Sequence, residues 1–67
     1  MNTYNQFKAL TIGDEARIEA ITYEVLDREE FKNSIELTVK DYTNNDTYSI
    51  YLDKNSQTVT HEDGYKL

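Results

Sequence analysis

The sequence predicts a mainly β protein: a small antiparallel meander of four to five strands curling toward a barrel, with a short N-terminal helical turn. Three observations carry this. Ser34 to Leu52 reads as two alternating strands, with Ile35, Leu37 and Val39, then Tyr48, Ile50 and Leu52, on one face and a polar turn between them. Turn residues recur at short intervals elsewhere, at Gly13-Asp14, Asp53 to Ser56 and Asp63-Gly64. No repeat, low-complexity tract or linker interrupts the chain, so the strands follow one another in meander order.

The elements follow in order. From Asn2 to Leu10, Tyr4, Phe7 and Leu10 form an i, i+3, i+6 stripe that Asn2 or Thr3 can cap. Eight or nine residues do not hold a helix unaided, so this turn must dock on the sheet. Gly13 marks a turn that needs an unusual backbone angle. Ala16, Ile18 and Ala20 then alternate with Arg17 and Glu19, after which the phase slips by one and Ile21, Tyr23 and Val25 carry the apolar face. Such a slip means a bulge, a bend or a change of sheet. One coiled strand bending around a barrel is the favoured reading over two strands at a tight corner, because neither Asn-Gly nor Asp-Gly is present.

Leu26 to Asn33 reads as an exposed connection, with Phe31 folding back as an anchor. In the central hairpin, Asn44-Asn45-Asp46 suit left-handed backbone angles at the turn. Each of the six apolar side chains facing inward contributes roughly 1.5–3 kcal/mol if fully buried, which makes the hairpin the core. Gln57 to His61, with Val59 as its one strongly apolar residue, reads as an edge strand. Tyr65 and Leu67 either close the open end of the core or fray. The opening pattern Leu10-x-Ile12-Gly13-Asp14, then Ile18, then Tyr23-x-Val25, resembles the start of SH3-like small barrels. The resemblance covers about a third of the chain; it implies a fold and transfers no site, because that barrel class hosts many functions.

A chain of 67 residues is read as one domain. It buries only about 60% of the surface its unfolded form exposes, so its stability is a few kcal/mol. With no cysteine, neither a disulfide nor a thiolate zinc site supports the fold, and a lone histidine excludes a multi-histidine metal site. Self-association of two copies is one remaining source of stability. No apolar run reaches membrane-span length, and MNTYNQFKAL lacks the charged start and apolar core of a signal peptide, so a cytoplasmic protein without membrane contact is expected. Seven Lys and Arg against thirteen Asp and Glu leave a net charge of −6, which repels nucleic acid and anionic lipid and favours a basic partner.

No residue set supports catalysis. His61 is expected to be solvent-exposed on the edge strand, and Thr60 beside it points to the opposite face. The acids Asp27, Glu29 and Glu30 lie in a solvated run, where a catalytic carboxylate is not expected. Asp53-x-Asn55-x-Gln57 matches the first ligands of a calcium loop, but Thr58 and Gly64 stand where that loop needs glycine and glutamate. Asp41, Asn44 and Asp46 read as turn chemistry, and two isolated glycines make no phosphate cradle. The expectation is therefore a protein with no enzyme activity, cofactor or metal.

What remains is binding. Alternation places Glu24, Leu26, Glu36, Thr38, Ser49 and Tyr51 on the outward face, with Tyr42 at the hairpin tip. Tyrosine suits interfaces because it buries a large area at low entropic cost. One reading is a protein-binding module anchored by Tyr42, Tyr51 and Leu26, with Glu36 and Thr38 between them, whose partner is another protein or a second copy. The other is an inhibitor that mimics nucleic acid, with Asp27, Glu29 and Glu30 standing where a nuclease or DNA-binding defence protein expects phosphates. In size and acidity the chain resembles small proteins encoded by phages and mobile elements, among which inhibitors of host defence are common.

Overall fold

A computed structural model describes residues 2–67. The chain forms α1 (Thr3–Lys8), β1 (Glu15–Ile18), β2 (Ile21–Glu30), β3 (Ser34–Asp41), β4 (Asp46–Asp53) and β5 (Thr58–His61). The strands make one antiparallel sheet in sequence order, curled into a half-barrel. Its concave side holds the core.

The helix exists because its ends and one face are satisfied. Asn2 Oδ1 accepts the Asn5 N–H at 2.8 Å, capping the first turn. Tyr4 and Phe7, with Leu10 beyond the helix, are buried, and Phe7 meets Tyr23 edge-on at 5.3 Å between ring centres. Six residues would not stay helical without that docking. The chain then turns at Gly13, whose φ of +92° a side chain would strain, and Val25 pairs with both ends of the turn through Gly13 N–H and Asp14 C=O.

The phase slip after Ile18 is a two-residue hairpin, not the single coiled strand expected. Ile18 pairs with Ile21 across Glu19 and Ala20, which hold φ at +54° and +67°. Two adjacent left-handed residues give the turn the twist a tight antiparallel hairpin needs, without the Asn-Gly that usually supplies it. Ala20 therefore sits in the turn and not on the inner face.

The segment expected to be a connection is largely strand, because β2 continues to Glu30. The register of β2 against β3 shifts between Val25 and Asp27, so Leu26 and Asp27 together oppose Thr38 in a bulge. A pattern reader sees broken alternation there and takes it for a loop. Phe31 does not fold back as an anchor: it is 48% exposed, and its backbone holds the turn, the N–H donating to Ser34 C=O and the C=O accepting from Lys54 Nζ.

The β3–β4 hairpin is as expected. Ile35, Leu37, Val39, Ile50 and Leu52 are fully buried, and Tyr48 packs against them. Asn45 takes the left-handed angle at the turn, at φ +57°. At the next turn, Asp53 Oδ1 accepts the N–H groups of Asn55 and Ser56, so the calcium-like spacing is turn capping. Gln57 lies in this turn, with φ +55°, and not in the strand. The last residues run back along β5: His61 N–H donates to Tyr65 C=O, Leu67 N–H donates to Val59 C=O, and Thr60 bridges Lys66. The outer edge of β5 is thus partly covered, whereas β1 has a neighbour on one side only. No helix among the described residues is long and apolar enough to cross a membrane.

Candidate functional site

The outer face of the sheet gathers most of the residues the sequence singles out. Across β2, β3 and β4, Asp27 stands opposite Thr38 and Thr38 opposite Ser49; Glu29 stands opposite Glu36 and Glu36 opposite Tyr51. Asp27, Glu29, Glu36, Thr38 and Tyr51 therefore form two adjacent rows. Leu26, the extra residue of the bulge, adjoins them and is 43% exposed, as is Tyr51. The bulge is what turns Asp27 and Glu29 to this side; unbroken alternation from Val25 would have sent them inward.

Two features of this patch matter electrostatically. Glu29 and Glu36 are directly opposed like charges, an arrangement that destabilises a sheet. Neither, nor Asp27, has an ion-pair partner among the described residues. A second opposed pair, Glu15 and Glu24, lies toward β1. There the charge is partly offset, because Lys40 pairs across from Glu24.

Tyr42 and Glu30 stand apart from the patch. Tyr42 lies just past the end of β3, six residues beyond Glu36, about 20 Å along an extended strand. Its hydroxyl donates to Glu24 Oε1 at 2.6 Å, which raises its pKa by favouring the protonated phenol, and Lys40 Nζ lies 5.0 Å from its ring centre. It does not share an anchor point with Tyr51. Glu30 falls on the opposite register from Glu29. It accepts from Lys54 Nζ at 2.7 Å and Arg28 at 3.0 Å, and these cations, Lys54 foremost, hold its carboxyl below the usual range.

The sequence reading missed a second site, on the inner side. His61 is not exposed: 6% of its surface is accessible. Strand alternation puts it inward with Val59, and the returning C-terminus lays Tyr65 over it. The imidazole lies between Tyr65, stacked at 4.4 Å, and Tyr48, tilted at 4.1 Å. Its Nδ1 accepts the Asp63 N–H at 3.0 Å. Asp41, 2% exposed, is the other missed residue. Its Oδ1 accepts the Thr43 N–H at 2.8 Å and its Oδ2 the Tyr48 hydroxyl at 3.1 Å. Burial, together with the neighbouring Tyr23 phenol and the hydrogen bond to Asp41, pushes the Tyr48 phenol far up, and burial raises that of Tyr23. These side chains line a cleft of about 430 Å³. The signal was present in phase: Asp41 continues Ile35-Leu37-Val39, and His61 continues from Val59.

Among the described residues no three His, Asp or Glu side chains are grouped to hold a metal ion. No protein-family model matches the chain, and no curated protein or solved structure shows significant similarity to it.

Proposed function

We propose that the protein is a non-enzymatic protein-binding module that presents the outer face of β2, β3 and β4 to a basic protein partner. The observation that carries this reading is the opposed Glu29–Glu36 pair, flanked by Asp27 and without countercharge. A partner's Lys or Arg at this point would relieve the repulsion, and Tyr51 and Leu26 beside it supply apolar area to exclude water. The curled meander is compatible with an SH3-like barrel, but that class carries no common function, so the reading rests on the face itself. Two copies cannot meet through this patch without opposing like charges; for self-association the strand edge left open is that of β1.

Two measurements test the proposal. Glu36→Gln should raise the thermal midpoint, since the repulsion it removes is worth about 0.2–1 kcal/mol. The tagged protein should capture a basic partner from lysate at low salt, less of it at high salt, and lose it on Tyr51→Ala or on combined Glu29→Lys and Glu36→Lys. Capture that survives the double charge reversal counts against the proposal. The alternative, a nucleic-acid mimic that inhibits a nuclease or DNA-binding defence protein, uses the same carboxylates. It differs in predicting that Tyr51→Ala is harmless and that duplex DNA competes for the captured partner.

A further inference from the structure

The cleft on the inner side is separate from the outer face, and its chemistry is one-sided. Asp41 is a carboxylate almost wholly removed from water, yet both hydrogen bonds it accepts come from neutral donors, the Thr43 amide and the Tyr48 hydroxyl. No Lys or Arg lies within ion-pair distance of it among the described residues. Buried charges are ordinarily paired, because desolvating one alone is costly. The space beside Asp41 is the cleft, and it is open. Its rim adds Asp46, Glu62 and Asp63, and no Lys or Arg lines it. The raised phenol of Tyr48 stays protonated at neutral pH, so it remains a donor and does not add a competing charge.

Its apolar lining is also specific. Tyr23, Tyr48 and Tyr65 supply ring surface, and Ile21 and Leu67 close the sides. The His61 imidazole, buried between two of these rings, uses Nδ1 for the Asp63 amide, and its Nε2 has no hydrogen-bond partner among the described residues. The volume is that of a small-ligand pocket, too small for a folded partner.

We infer that this cleft binds an organic cation, an ammonium or guanidinium group on a short alkyl stem, with Asp41 as its counterion and the tyrosine rings around the stem. The charge comes from the ligand, and Asp46, Glu62 and Asp63 raise its local concentration at the entrance. Two sources share this one chemistry: a free amine, or a Lys or Arg side chain carried by another protein.

Backbone amide chemical shifts read the site directly. Butylguanidinium and butylammonium, titrated into the full chain, should move the amides of Asp41, Tyr48, His61 and Tyr65 saturably and leave those of Glu29, Glu36 and Tyr51 in place. Neutral butylurea should bind at least about tenfold more weakly, the worth of one charge-assisted hydrogen bond. Asp41→Asn should weaken butylguanidinium by a similar factor. If that variant fails to fold, Tyr65→Ala, at a half-exposed position outside the sheet, should weaken it several-fold and leave the amide spectrum of the strands unchanged. Spermidine and a capped arginine peptide then separate the sources: tighter spermidine binding supports a free amine, tighter peptide binding a protein side chain. Three results overturn the inference: no saturation with any cation, butylurea binding as tightly as butylguanidinium, or shifts that follow all acidic residues alike and vanish with moderate salt.

Discussion

Tyr48 shows how one side chain joins packing to ionisation. Its ring lies between Tyr23 and His61, and its hydroxyl holds Asp41 at the end of β3. Folding raises its pKa and that of Tyr23, so the folded state keeps phenolic protons that the unfolded chain releases above about pH 10. Their contribution to stability is therefore complete below that pH and is lost as pH rises further. Tyr48→Phe should cost about 1.5–3 kcal/mol at neutral pH, because it takes a donor from the buried Asp41 carboxylate, and should flatten the alkaline fall in thermal midpoint. Ultraviolet titration of the wild type should show Tyr23 and Tyr48 ionising only as the far-ultraviolet signal collapses.

At the scale of elements, the Glu19-Ala20 turn is under strain that sequence can relieve. Both residues sit at left-handed angles, where an ordinary side chain costs roughly 1 kcal/mol or more. Replacing the pair with Asn-Gly should stabilise the hairpin by about 1 kcal/mol, set against the looser unfolded chain that glycine brings, and should raise the midpoint by several degrees. A thermal melt of the double variant that falls below the wild type would show that the turn owes its shape to other contacts.

The same turn explains what the sequence could and could not disclose. Where alternation is unbroken, as in the two strands between Ile35 and Leu52, the strands, their faces and the buried apolar residues were legible. The fold class followed from that hairpin and the spacing of polar turns. Reading failed where one residue changed the phase. Glu19-Ala20 makes a tight turn without the residues that advertise one, and Leu26 adds a residue to β2 and disguises a strand as a connection. On the outer face, Glu36, Thr38 and Tyr51 were legible because β3 and β4 alternate without interruption, whereas Asp27 and Glu29 reach that face only through the bulge. Glu30 was misgrouped with Asp27 and Glu29 because neighbours in a run fall on opposite faces. His61 and Asp41 were missed because polar residues in a core phase look like strand ends until something folds over them.

For the whole molecule, the core has little redundancy. Leu37 is fully buried in the central strand, and Leu37→Ala in such a site costs about 2–5 kcal/mol. A domain of this size rarely holds more than about 3–5 kcal/mol, so the variant should be largely unfolded at 25 °C by circular dichroism and urea titration. Tyr51→Ala, on the outer face, should melt close to the wild type. The contrast separates the residues that make the fold from those available to a partner.

The docking of α1 has a consequence for the order of events when the chain is made. The helix packs chiefly on β4 and β5, the last strands in the sequence. Hairpins between neighbouring strands can close as soon as both strands exist, because each turn is short. The helix cannot: six residues do not hold together in water, and their platform lies at the other end of the chain. A segment made before the strands is then the last to find its place, and protection of the Phe7 amide from exchange marks the moment the sheet and helix close together.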